Sequence, residues 1–158
     1  MGWWGLGLHQ NDGVADFIGS IREDYVDNAE GAVNEIKSII DGVSSYFDIP
    51  EDKKKWKGSI NPFSGEVINF NWKILDESVA EELLGATILL EKMESLNPPK
   101  YLQKIRNKFP DFGDTKRQAR KALRILISEK SEILEGFADD DLKVLKRNVQ
   151  NLIKKLEN

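Results

Sequence analysis

Cysteine is absent from this chain and histidine occurs once, at position 9. Those two shortages remove disulfides, thiolate nucleophiles and the nitrogen–sulfur ligand sets that zinc and similar metals require. No run approaches the roughly 20 apolar residues of a membrane helix, so no membrane partner is expected. The opening lacks the basic and apolar regions of a signal peptide. Leu6 stands where a myristoylation motif needs Ser or Thr. A cytoplasmic location is therefore the expectation. Phosphate-loop, nucleophile-elbow and kinase signatures are also missing, and Gly5-Leu6-Gly7 follows no strand. Asp139, Asp140 and Asp141 are consecutive, which suits a helix start and not a calcium loop. His9 has no nucleophile or orienting acid near it in the sequence. The chain reads as a non-enzyme, with no catalytic residue, no metal site and no cofactor.

What is present fits one helical domain spanning 1–158. Its 158 residues suffice for a real core but not for two. Charged residues make up 32% and hydrophobic ones 40%, as in a globular domain with a well-solvated surface. The net charge of −4 is unevenly spread: residues 1–50 carry −7, residues 51–100 carry −2 and residues 101–158 carry +5. Such asymmetry along a chain points to a charged partner, or to acidic and basic helices packed side by side.

Gly2, Gly5 and Gly7 disfavour a helix at the start, while Trp3, Trp4, Leu6 and Leu8 are too apolar for a free tail. An ordered arm over the core is expected, leading to an N-cap at Asn11 or Asp12. Apolar residues then recur every three or four positions from Val14 to Phe47, which is helical periodicity. Asn28 and Gly31 leave open whether this is one helix or two, and Pro50 ends the run. In EVINFNWKI, alternation at Ile68, Phe70, Trp72 and Ile74 suggests a strand, with Trp56–Ile60 as its nearby partner.

Ser78 and Glu81 match a capping box. The helix they would open contains LLGATILL, apolar on nearly every side, and should be the central one. Gly85 and Ala86 would let another helix come close. Further helices are expected from Pro99 or Lys100, from a cap at Asp114, and from Asp139 onward. The fold class is all-α: an irregular bundle of five to six helices, with room for a small β-hairpin around residues 56–74 or an extended loop in its place.

Two charge stripes bear on function. Glu23, Asp27, Glu30, Asn34 and Asp41 form an acidic face suited to a basic partner protein, or simply the wet side of an amphipathic helix. Arg117, Arg120, Lys121 and Arg124 form a basic face that could meet phosphates, with Lys53–Lys57 around Trp56 as an aromatic neighbour. The overall acidity weighs against nucleic acid.

The opening MGWWGLGLHQNDGVADF, with Met1, Gly2, Trp4, Gly5, Gly7, Asn11, Asp12, Asp16 and Phe17 in the pattern MGxWGxGxxxNDxxxDF, resembles a bacterial family classed as a domain of unknown function. Trp3 and His9-Gln10 depart from its usual residues. The likeness covers about the first 30 residues, with AEELLGATILL a looser match. The resemblance implies a small helical cytoplasmic protein of toxin-immunity type that binds and neutralises a cognate toxin domain. It carries over no catalytic residue. Glu23, Asp27, Glu30 and Asp41 are the candidate contacts with a basic toxin domain. Trp56 and Trp72 are candidate aromatic anchors, and a helical nucleic-acid-binding or regulatory module is the alternative.

Overall fold

Asn11 sets where the first helix begins. Its side-chain Oδ1 accepts from the Val14 N–H at 3.1 Å, satisfying one of the donors that a helix start leaves unpaired. The computed structural model describes residues 7–8, 11–45, 59–60, 67–68, 77–128 and 137–157. The expected Trp3/Trp4 arm lies outside these residues, apart from Gly7 and Leu8. Leu8 is half-buried against the core.

The periodic segment after Asn11 is two helices. Helix α1 spans Asp12–Asp24 and α2 spans Ala29–Ser44. The break comes from a second cap: Asn28 Oδ1 accepts from the Gly31 N–H at 3.0 Å. The phase of the apolar residues nonetheless holds across the turn, because Ile21, Ala32, Val33, Ile36 and Ile40 are all buried. Helix α2 ends as Ser44 and Ser45 turn their hydroxyls back onto the Asp41 carbonyl. A two-residue antiparallel ladder follows, β1 (Ser59–Ile60) against β2 (Val67–Ile68), with Ser59 opposite Ile68 and Ile60 opposite Val67. It falls within the stretch where the alternation suggested a hairpin.

Helix α3 spans Glu77–Met93 and is buried at nine positions, including Leu83, Leu84, Leu89 and Leu90. It packs against α1, α2, α4, α5 and α6, which makes it the central helix of the bundle. Thr87, fully buried, is neutralised by donating to the Leu83 and Leu84 carbonyls at 2.9 and 3.0 Å. The helix begins at Glu77, so Ser78 sits inside the first turn and does not cap it. Glu81 serves α1 instead. Its carboxylate lies against Gly13 and accepts from the Gly13 N–H, supplying negative charge at the positive end of α1. One turn further along both helices, Phe17 lies on Gly85. These two contacts share one offset, so α1 and α3 run parallel.

Asn97, at φ 57°, turns the chain after α3, and Pro98 and Pro99 prevent the helix from continuing. Helix α4 is short, Lys100–Arg106, and buries Leu102 and Ile105. Helix α5 spans Phe112–Leu126 and is capped by Asp111, whose side chain accepts from the Asp114 N–H at 3.0 Å. The cap is thus three residues earlier than the sequence suggested. Phe109 and Phe112 meet edge to face at 5.2 Å, with the Arg106 guanidinium 3.9 Å over the Phe112 ring. Helix α6, Asp139–Lys155, packs on α5 and α3. The architecture is an all-α bundle of six helices among the described residues, none of them long and apolar enough to cross a membrane.

Candidate protein-binding surface

The turn between α1 and α2 projects a cluster of polar side chains beside the end of α4. Asp27 and Glu30 are exposed there, with Val26 between the helices at 60% exposure. Val26 stays in solvent, whereas Tyr25 before it is half-buried against the core. Across from them stand Lys104, Asn107 and Lys108 on the last turn of α4 and just beyond it. The two sides enclose an open groove of ≈ 700 Å³. The Asn28 carboxamide also borders it, but its oxygen is committed to capping α2.

The acidic stripe expected along one continuous helix is therefore divided. Asp27 and Glu30 are brought together on one wall of the groove. Glu23 lies in the last turn of α1, 72% exposed at its side chain, and its one ion-pair contact among the described residues is a long 3.9 Å approach to Arg22. Asp41 is exposed near the far end of α2, about 16 Å from Glu30 at the helical rise per residue. The division follows from the Asn28 cap, which breaks the segment into two helices so that the acids do not lie along one continuous helix. Trp56 and Trp72 lie outside the described residues, as do His9 and the Lys53–Lys57 run.

Lys104 and Lys108 were not picked out from the sequence. Their spacing of four does put them on one side of the chain, but nothing local says that this side faces the α1–α2 turn. Packing of α4 on α2 brings them there. Charge along the fold is strongly segregated. Residues 12–45 carry eight acidic and two basic side chains, and residues 100–128 carry nine basic and two acidic.

The basic stripe on α5 is largely spent within the molecule. Arg120 donates to the Leu156 carbonyl at 2.8 Å, closing the end of α6. Arg117 pairs with Asp114, and Lys116 pairs with Glu94 at 2.8 Å with only 13% of its side chain exposed. Among the described residues no cluster of His, Asp or Glu is arranged to hold a metal ion. Glu81 is held above the ordinary carboxylate range by burial and by the neighbouring Glu77 charge, against the opposing effects of the Gly13 N–H and the Asn11 side chain. Asn11 is fully buried, and its Nδ2 makes no hydrogen bond of ordinary geometry among the described residues. Burial also raises the Tyr101 phenol, and Arg22 partly offsets it. Both groups sit where helices meet. A second depression, ≈ 550 Å³ between α3 and α6 and bordered by Leu8, Ile88 and Leu152, contains none of the candidate residues.

Comparisons with known protein families, with curated proteins and with solved structures gave no match to this chain. The likeness of its opening to the MGxWGxGxxxNDxxxDF pattern rests on the quoted residues alone.

Proposed function

We propose that the chain is a cytoplasmic immunity-type protein of bacterial origin, which binds a toxin domain and blocks it by covering a cationic active cleft such as that of a nuclease. The observation that carries this reading is the exposed acids Asp27 and Glu30 at the α1–α2 turn, with Glu23 exposed on the last turn of α1, in a stretch, residues 12–45, with eight acids and two bases. Charge complementarity of this kind speeds encounter and rejects wrong partners more than it deepens affinity. The family-like opening adds support of a different kind, since immunity-type genes are implied by that resemblance.

Co-expression with the toxin domain encoded beside the gene is the direct test. Rescue of growth and co-elution on size exclusion are expected, and failure of both would remove the reading. Within such a complex, reversing Glu23, Asp27 and Glu30 should slow association and flatten its salt dependence. Unchanged kinetics would move the contact to the 53–74 segment with Trp56 and Trp72. The nucleic-acid reading has less support, because Arg117 and Arg120 are already engaged. Salt-sensitive binding of DNA or RNA in a gel shift would revive it.

A further inference from the structure

Asp27 and Glu30 face Lys104 and Lys108 across the groove, yet none of the four makes an ion pair or side-chain hydrogen bond with any described residue. Opposite charges on facing walls ordinarily close up when the backbone allows it. Here the walls are held apart by the α2 and α4 packing beneath them, where Ala32, Leu102 and Ile105 are buried. The unused charge of each wall is thus kept available to a third party. A uniformly cationic ligand would gain from Asp27 and Glu30 but be repelled by the two lysines. A uniformly anionic one would meet the reverse.

We propose that this groove is a bipolar docking site for a helical segment of a partner protein that carries a Lys or Arg about one turn from an Asp or Glu. The cationic group would lie on the Asp27/Glu30 wall and the anionic group on the Lys104/Lys108 wall. Val26, 60% exposed at the rim, supplies the apolar contact between them. The residues that form the walls are themselves exposed, so the groove would leave most of a small molecule in water, whereas small-molecule sites bury most of their ligand. A protein segment suits it better. The assignment rests on the binding-protein reading above and refines it, since it requires the partner's contact to carry both signs.

The test uses the full chain and alanine-based helical peptides of equal length. One bears Arg and Glu four residues apart, one bears two Arg and one bears two Glu. Binding is followed by amide chemical-shift changes at low salt. The mixed peptide should shift residues 26–30 and 104–108 in a saturable way. It should bind about tenfold more tightly than either like-charge peptide, as expected if two exposed pairs contribute at the upper end of their range. Reversing one wall with Asp27→Lys and Glu30→Lys should abolish that preference and favour the two-Glu peptide. Equal or tighter binding of the two-Arg peptide to the native chain would overturn the bipolar assignment. So would shifts confined to other residues, or no shifts at all. The same shift pattern from free arginine would replace the protein segment by a small zwitterion and equally overturn it. Growth rescue by co-expression reads the immunity function independently of these outcomes.

Discussion

Replacing Gly85 by Ala sets two opposed effects against each other on the central helix. In a helix interior the exchange is worth up to about 1 kcal/mol of added propensity. At this position, however, the new Cβ would lie 2.7 Å from Phe17 Cδ1 and 3.2 Å from Phe17 Cβ. Ordinary carbon contacts are about 3.5–4.0 Å, so the overlap reaches the root of the phenylalanine as well as its ring. Phe17 is 7% exposed and has no route into solvent. Either α1 backs away from α3 or the ring leaves its rotamer, and overpacking of this kind costs about 1–3 kcal/mol. Packing should win, with a net loss of roughly 1 kcal/mol. Gly19→Ala provides the comparison, because its added Cβ meets nothing within 4 Å. That variant should gain about 0.5–1 kcal/mol. The two should separate by about 4–8 °C in Tm for a chain of this size, with urea m-values unchanged. In a Phe17→Leu background the cost of Gly85→Ala should shrink by at least about 0.5 kcal/mol. If Gly85→Ala stabilises the native protein as much as Gly19→Ala does, α1 does not rest on Gly85 and the parallel pairing is wrong.

Other substitutions probe separate features. Because burial raises the Glu81 pKa in the fold, its ionisation opposes folding: the advantage of the protonated form is complete below the ordinary carboxylate pKa and is lost as pH rises through the raised value. Glu81→Gln should therefore be no less stable than the native chain at neutral pH, and urea titrations should show that it lacks the stability the native chain gains from Glu81 as pH falls toward the ordinary carboxylate pKa. Asn28→Ala should cost about 1 kcal/mol through loss of the exposed α2 cap, and Asn11→Ala at least as much, since that cap is buried; urea midpoints at fixed pH decide this. Arg120→Met removes the donor to the Leu156 carbonyl and should lower stability by about 1 kcal/mol while leaving any low-salt nucleic-acid affinity in a gel shift unchanged.

Much of the helical framework could be read locally because each piece carries its own signal. LLGATILL is apolar all round and became the helix that the others surround. Asn11 and Pro99 stand at helix starts, where their side-chain oxygen and fixed φ suit them. Asn28 with Gly31 marked a weak point, and the cap made there converts it into a turn. The Ser78/Glu81 pair shows the limit of such reasoning. Its spacing fits a local capping box, but Glu81 finds a better use at the start of another helix 68 residues earlier in the chain. The groove was only half legible for the same reason. Asp27 and Glu30 could be identified as exposed acids from their own helix, whereas Lys104 and Lys108 face them only through the packing of α4 on α2. Arg120 likewise looked like surface charge until α6 placed a bare carbonyl beside it.

The parallel contact of α1 with α3 also fixes their register along the shared axis. A slide of one turn, about 5.4 Å, would bring Phe17 opposite Glu81 or Leu89 in place of Gly85. Both bear side chains where the ring needs a notch, and Gly85 is the one glycine in α3. Moving the ring would at the same time strip the start of α1 of its carboxylate acceptor. Steric fit at one step and a hydrogen-bond acceptor for the Gly13 N–H at the next thus select the same alignment over its one-turn alternatives. The part of the family-like pattern that lies in α1, from Asp12 to Phe17, is in this way held in a single setting against the middle of the sequence.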